Sequence, residues 1–130
     1  APARLAMSVR RVLIVDDDPH VRALLEATLS PETCEVIQAA DGDEALQRAS
    51  EWLPDLVLLD WWMPRVSGEE VLAELKRRLP LVRVIVLTAE IQTHHRDQAR
   101  QLGADLFLTK PFSPLQLLEA IERLLPLKEG

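Results

Sequence analysis

Leu56-Val57-Leu58-Leu59-Asp60-Trp61-Trp62-Met63-Pro64 is a short apolar stretch with a single carboxylate in its middle. Its first four residues are all apolar, which is typical of a strand buried on both faces of a parallel sheet. Pro64 and then Ser67-Gly68 interrupt the run and predict a loop. The pattern therefore places Asp60 where a central strand leaves the sheet, and ligands bind at that edge in open α/β sheets.

Four further apolar runs resemble this strand, and a stretch of helical periodicity follows each of the five. The predicted strands cover residues 11–15, 35–39, 56–60, 82–87 and 106–109, and the predicted helices lie within 19–29, 45–49, 71–79, 92–102 and 114–125. Strands that alternate with helices predict an α/β fold, here a five-stranded, doubly wound parallel sheet with five helices.

Composition excludes several classes of protein. The length of 130 residues, with 48% hydrophobic and 28% charged residues, predicts one ordinary globular domain. A net charge of −6 argues against direct binding of nucleic acid, which needs a basic surface. The single cysteine, Cys34, excludes an internal disulfide and predicts a reducing, cytoplasmic setting. No apolar run approaches the roughly 20 residues of a membrane span.

We expect both ends of the chain to lie outside the domain. Residues 1–8 are predicted to be an N-terminal tail or a remnant of cloning, because they lack the length and apolar core of a signal peptide. The domain is expected to cover residues 9–127, and residues 128–130 are expected to be a C-terminal tail. Whether an output domain follows on a longer chain stays open.

Polar residues follow the other predicted strands at their carboxyl ends. Asp16 and Asp17 follow the first strand, Thr88 ends the fourth, and Lys110 follows the fifth. Because parallel strands end at one edge of the sheet, we expect these side chains to converge on Asp60.

Such a group predicts metal-assisted phosphoryl transfer. Neighbouring carboxylates repel one another and raise each other's pKa unless a cation offsets the repulsion. Mg²⁺ suits this role because it prefers oxygen ligands and is usually held by one or two carboxylates. Lys110 is expected on the side of the site opposite the metal-holding carboxylates, with the Thr88 hydroxyl between the two. Asp60 would then have the surroundings of a nucleophile that accepts a phosphoryl group.

With these residues the chain resembles a response-regulator receiver domain of two-component signalling, from Arg10 to Leu125. The motifs that carry the resemblance are Val15-Asp16-Asp17, Asp60-x-x-Met63-Pro64-x-x-Ser67-Gly68, Thr88-Ala89 and Thr109-Lys110-Pro111-Phe112. The resemblance implies the flavodoxin-like (βα)5 receiver fold. It also implies that Asp60 is the phosphoacceptor and that Mg²⁺ is bound by Asp16, Asp17, Asp60 and the backbone carbonyl of Trp62.

The resemblance further implies a switch and a set of partners. Thr88 and Lys110 would contact the phosphoryl group, Thr88 and Phe107 would form the switch, and the Lys110–Pro111 peptide bond would be cis. The donor would be a sensor histidine kinase or a phosphotransfer protein. Phosphorylation would change the face formed by helix 4, strand 5 and helix 5, which an output domain, a partner or a second copy of the chain would read.

Two alternatives stay open. A phosphatase with an aspartyl nucleophile would need a second carboxylate two residues after Asp60, where this chain has Trp62. A receiver-like domain that binds partners without phosphorylation would usually lack one of the site residues, and all are present here. We therefore interpret the chain as a self-phosphorylating signalling domain, with its status as an enzyme left open. Trp62 is hypothesised to shield the acyl phosphate, whereas His94 and His95 are interpreted as a solvated helix start.

Overall fold

The computed structural model describes residues 8–89 and 92–127, in which five parallel strands alternate with five helices. The strands are β1 (Arg10–Val15), β2 (Cys34–Ala39), β3 (Leu56–Asp60), β4 (Arg83–Thr88) and β5 (Leu106–Thr109). The helices are α1 (Pro19–Thr28), α2 (Gly42–Trp52), α3 (Gly68–Arg78), α4 (Thr93–Gln101) and α5 (Pro114–Leu124). The predicted fold class is confirmed.

The strand order places β3 at the centre of the sheet, as predicted for the strand that ends in Asp60. The order is β2-β1-β3-β4-β5, so the chain moves outward on one side of β1 and then on the other. Loops after β1 and β3 therefore diverge, and a crevice opens between them at the carboxyl edge, as in flavodoxin-like sheets. All five residues of β3 are buried, as the continuous apolar run predicted.

The core has two layers because successive side chains of a strand point to opposite faces of the sheet. From β3, Val57 and Leu59 pack with the apolar residues of α2 and α3, whereas Leu56 and Leu58 pack with those of α1 and α5. Ala99 brings α4 into the first layer. Helices thus cover both faces, which is the doubly wound arrangement.

Element boundaries differ from the prediction by one to three residues, and the largest differences are at α2 and α3, which begin at Gly42 and Gly68 instead of residues 45 and 71. Strand β4 begins at Arg83, because Val82 N–H donates to the carbonyl of Leu79 and so belongs to the preceding turn. Strand β2 begins at Cys34, which pairs with Arg10 of β1. The predicted tails lie outside the described residues except for Ser8. Within the described ranges, every helix is too short or too polar to cross a membrane.

The helix starts follow from short polar residues. The side chains of Asp18, Asp41 and Ser67 accept a bond from a backbone N–H in the first turn of α1, α2 and α3. Ser113 and Gln116 form a capping box at α5. Gly103 follows α4 with a φ of 105°, as expected of a glycine that ends a helix.

Gly68 fixes the path of the chain just after β3. A Cβ at this position would lie 2.7 Å from the Trp61 Cα and carbonyl oxygen, and 2.8 Å from the Asp60 carbonyl oxygen. The Gly68 N–H also donates to the Trp61 carbonyl at 3.1 Å. The absent side chain thus allows α3 to start directly against the backbone of Asp60 and Trp61.

We predict that Gly68→Ala destabilises the fold. Elsewhere in a helix this change stabilises by up to about 1 kcal/mol. Here the new methyl group meets backbone atoms, so the free energy of unfolding should fall by about 1–3 kcal/mol. Urea unfolding measures the change, with Glu70→Ala in the same turn as a control near zero. An increase in stability for Gly68→Ala would contradict this prediction, because it would mean that the backbone after β3 can shift to accommodate the methyl group.

Candidate functional site

The register of the sheet brings the predicted site residues together. Val15 pairs with Leu59, so Asp16 and Asp60 leave adjacent strands at the same level. Leu87 pairs with Asp60, which places Thr88 one residue further out on β4. Beyond it, the Lys110 N–H donates to the Thr88 carbonyl at 2.7 Å. Four strands thus contribute to a single site.

Asp16, Asp17 and Asp60 form a cluster of carboxylates. One oxygen from each lies within 4.8 Å of the other two. Asp16 is 2% exposed and Asp60 is 7% exposed, whereas Asp17 is open to solvent. A cluster of oxygen donors with one solvent-facing member fits a hard divalent cation that keeps part of its water shell. The structure therefore brings together the three carboxylates of the predicted metal site.

Asp16 is held by three groups. Its Oδ1 accepts from the Asp18 N–H at 2.9 Å, and its Oδ2 accepts from Lys110 Nζ at 3.1 Å. Its carbonyl accepts from Arg22 Nη1 at 2.7 Å, and Arg22 also donates to Gln38 at 3.0 Å. Sequence reasoning missed Arg22, since an arginine on an amphipathic helix carries no signal of a contact with the preceding loop.

The Lys110 side chain extends from the end of β5 to the carboxylates after β1, which its position in the chain did not predict. We expected a cation across the site from the metal ligands. Instead, its ammonium group forms an ion pair with Asp16, the residue after β1, at 3.1 Å. The Lys110 side chain therefore spans the cluster, and its charge also lowers the pKa of Asp60. The Lys110–Pro111 bond is cis, as the resemblance implied.

The pKa of Asp60 is raised to about 6. Burial of the carboxyl group is the largest cause, and repulsion by Asp16 is the second. Lys110 and the Trp62 N–H, which donates to Asp60 Oδ1 at 3.3 Å, oppose the rise only in part. The sequence predicted repulsion between carboxylates, but it did not show that burial has the larger effect.

The two tryptophans after Asp60 have different surroundings. Trp61 is 3% exposed and packs in the core layer with α2 and α3. Trp62 is 52% exposed, and its indole makes an edge-to-face contact with His95 of α4. His95 is half-buried, so its interpretation as part of a solvated helix start is wrong, whereas His94 is exposed as expected.

Phe107 of β5 is half-buried and packs against the core. The guanidinium of Arg96 in α4 lies 5.9 Å from the centre of its ring, within range of a cation–π interaction. This contact joins α4 to β5 on the face that the family resemblance implied would switch. A switching role for Phe107 stays a prediction, because it requires a second position of the ring.

Known proteins are similar to this chain in sequence and in fold. The family described as the response regulator receiver domain matches residues 12–122. The chain is 34% identical to the alkaline phosphatase synthesis transcriptional regulatory protein PhoP of Bacillus subtilis, over 89% of this chain and 48% of that protein. It is 36% identical to the phosphate regulon transcriptional regulatory protein PhoB of Escherichia coli, over 87% of this chain and 50% of that protein. The chain thus spans about half the length of these relatives.

Solved structures support the same assignment. Chemotaxis protein CheY4 of Vibrio cholerae superposes with a TM-score of 0.84 at 32% identity, covering 90% of this chain and 99% of that one. A CheY-like receiver domain protein of Methanospirillum hungatei superposes with a TM-score of 0.85 at 32% identity, covering 90% and 94%. The predicted family is confirmed.

We predict that Asp60→Asn stabilises the protein at pH 7.5 without divalent cations. Because the pKa rises from 3.8 to about 6 on folding, the native state binds more protons than the unfolded state between these values. The contribution of Asp60 to stability therefore falls as pH rises through this range. Removing the charge should raise the free energy of unfolding by on the order of 2 kcal/mol above pH 6.

Urea unfolding in EDTA at several pH values measures this gain, which should be mostly lost by pH 4 and should vanish below about pH 3, where the carboxyl is protonated in both states. Asp17→Asn is the matched control, and its gain should be smaller because Asp17 is exposed. A gain for Asp60→Asn that stays constant down to pH 4 would contradict the titration of Asp60 as its cause.

Proposed function

Because this chain belongs to the response-regulator receiver family, we propose that it accepts a phosphoryl group on Asp60 from a sensor histidine kinase or a phosphotransfer protein. One observation carries the proposal: a buried nucleophilic carboxylate lies beside two further carboxylates and within reach of a lysine that spans the cluster. Trp62 stands where an aspartyl phosphatase would need its second carboxylate, which disfavours that alternative.

The transfer follows from ordinary phosphoryl chemistry. A carboxylate oxygen of Asp60 attacks the phosphorus of the phosphohistidine, the P–N bond breaks, and the imidazole leaves with the electron pair and takes up a proton. Asp60 becomes an acyl phosphate. The protein contributes mainly position and charge, which suffice for a loose, metaphosphate-like transition state. At pH 7 the nucleophile is predominantly ionised, since its pKa is about 6.

The surroundings of Asp60 support a magnesium site. Mg²⁺ would be held by Asp16, Asp17, Asp60 and the backbone carbonyl of Trp62, and when bound it would neutralise charge on the phosphoryl oxygens. The three side chains offer only oxygen ligands, which hard cations prefer. Repulsion by Asp16 raises the pKa of Asp60 more than the ammonium of Lys110 lowers it, which leaves negative charge in the cluster for a cation to offset.

The switch is proposed to start with Lys110 and Thr88. A phosphoryl group on Asp60 would attract the ammonium of Lys110, which now pairs with Asp16. The Thr88 hydroxyl, wholly buried at the end of β4, would move toward the same oxygens. Because the Lys110 N–H is bonded to the Thr88 carbonyl, motion of either residue displaces the ends of β4 and β5 together.

These displacements would reach the outer face through Phe107 and α4. Arg96 lies over Phe107, so a shift of the β5 ring changes a contact with the helix beside it. We propose that the face made by α4, β5 and α5 is read by an output domain, a partner or a second copy of the chain. The relatives named above are transcriptional regulators of twice this length, which supports a DNA-binding output as one form. A cytoplasmic location is part of the proposal.

We predict that acetyl phosphate with Mg²⁺ adds one phosphoryl group to the protein. Intact-protein mass spectrometry measures the gain, which should be absent in EDTA because the metal offsets the charge of the cluster. Asp60→Asn should show no gain, and Glu70→Ala should behave as the wild type. If the folded protein gains no mass under any condition, a partner-binding domain that works without phosphorylation becomes the better account.

We also predict that Trp62→Asn shortens the lifetime of the acyl phosphate severalfold. The Trp62 N–H donates to Asp60 Oδ1 at 3.3 Å, so a bulky indole on this residue would restrict the approach of water to the acyl phosphate, and asparagine would not. The decay of the phosphorylated mass after removal of acetyl phosphate measures the lifetime. Leu81→Asn, an equally polar change at an exposed position before β4, is the control. An unchanged lifetime in Trp62→Asn would rule out the shield.

A further inference from the structure

The edge-to-face pair of Trp62 and His95 joins the phosphoacceptor loop to helix α4. The ring centroids lie 5.1 Å apart and the ring planes meet at 87°. Such T-shaped pairs are the favoured geometry of aromatic contacts at this distance. Trp62 lies in the loop after β3 and His95 lies in the first turn of α4, which follows β4. The pair therefore crosses from the end of β3 to the helix that follows β4.

The Trp62–His95 pair lies close to the proposed phosphoacceptor, Asp60, in the chain and in space. Trp62 N–H donates to Asp60 Oδ1 at 3.3 Å, so the residue that carries the indole also touches the reacting carboxylate. Thr88 ends β4, next to the end of β3. The indole thus connects the loop that carries the acceptor to the helix that follows Thr88, so both ends of the aromatic contact belong to segments that border Asp60.

A second contact orients the same face of α4. Gln98, one turn after His95, donates from Nε2 to Glu69 Oε1 of α3 at 2.6 Å. Residues three apart in a helix share a face, so this face of α4 addresses both the Trp62 loop and the start of α3. The contact between His95 and Trp62 is therefore one of two side-chain contacts that hold this face of α4 against the segment from the end of β3 to the start of α3.

We propose that His95 is a positioning residue that holds the Trp62 indole over the acceptor and thereby lengthens the life of the phosphoryl group. The inference rests on the proposed function and adds a residue from α4 to it. Without the imidazole, a side chain that is 52% exposed loses one of its restraints, and water reaches the acyl phosphate more often. Movement of α4 would then also change the rate at which the signal decays.

The test compares His95→Ala with His95→Phe in the full chain at one fixed pH. His95→Ala should shorten the lifetime of the phosphoryl group about two- to tenfold, the range expected for loss of one aromatic pair. His95→Phe keeps an aromatic ring without a nitrogen and should restore the wild-type lifetime. His94→Ala is the matched control, because His94 contacts the His95 ring, at 4.0 Å, and is itself exposed. Its effect should be smaller than that of His95→Ala.

A double-mutant cycle separates positioning from general damage to α4. In the Trp62→Asn background, His95→Ala should cause no further shortening, because the group that it positions is gone. If His95→Ala leaves the lifetime unchanged, or shortens it equally in both backgrounds, the proposal is wrong. The uptake of phosphoryl from acetyl phosphate should stay the same in His95→Ala and His95→Phe.

Acrylamide quenching of tryptophan fluorescence tests the restraint without phosphorylation. The signal of Trp62 is obtained by difference from Trp62→Asn, which retains the other two tryptophans. Quenching of Trp62 should increase in His95→Ala and return to the wild-type value in His95→Phe. If the wild type takes up no phosphoryl group, the proposed function fails and the effect on lifetime fails with it. Unchanged quenching in His95→Ala would instead overturn the role of His95 alone.

Discussion

The burial of one carboxylate at the end of a central strand is the constraint on which the rest of this structure depends. Asp60 is 7% exposed and follows four fully buried apolar residues. The buried strand therefore fixes where its carboxylate lies and removes that charge from water. Its pKa of about 6 reflects the free-energy cost of keeping this carboxylate charged in a buried position. Asp16 increases that cost, and Lys110 reduces it. A position that is unfavourable for an isolated charge becomes useful when a cation and a phosphoryl group are to be bound there.

The surrounding backbone is arranged to keep this position fixed. Gly68 allows α3 to begin against the carbonyl groups of Asp60 and Trp61, with no room for a side chain. Arg22 holds the carbonyl of Asp16, and the Asp18 N–H holds its side chain. Lys110 and Thr88 connect the site to β5 on the other side, where the proposed switch begins. The proposed metal ligands after β1 and at the end of β3 and the proposed phosphoryl contacts at the ends of β4 and β5 thus belong to different parts of the sheet edge.

Much of this arrangement could be predicted from the sequence, because strand ends in a parallel sheet converge by geometry. The polar residues that end apolar runs were therefore sufficient to predict the site, and the order of βα units predicted the fold. The pairing of Lys110 with Asp16 could not be predicted, since it depends on how far a flexible side chain reaches from the end of β5 past β4 and β3. The same limit applies to Arg22 and His95, whose contacts are made from helix faces where arginine and histidine usually face solvent.

The most direct test of the account is to locate the phosphoryl group. Borohydride reduces an aspartyl phosphate to homoserine, so the acceptor can be identified by tandem mass spectrometry of the two peptides that contain residues 16–17 and residues 56–64. After treatment with acetyl phosphate and Mg²⁺, the account predicts homoserine at position 60 and unmodified residues at 16 and 17. Homoserine at either of those two positions, or none at position 60 in a protein that has gained a phosphoryl group, would contradict the assignment of Asp60 as the nucleophile.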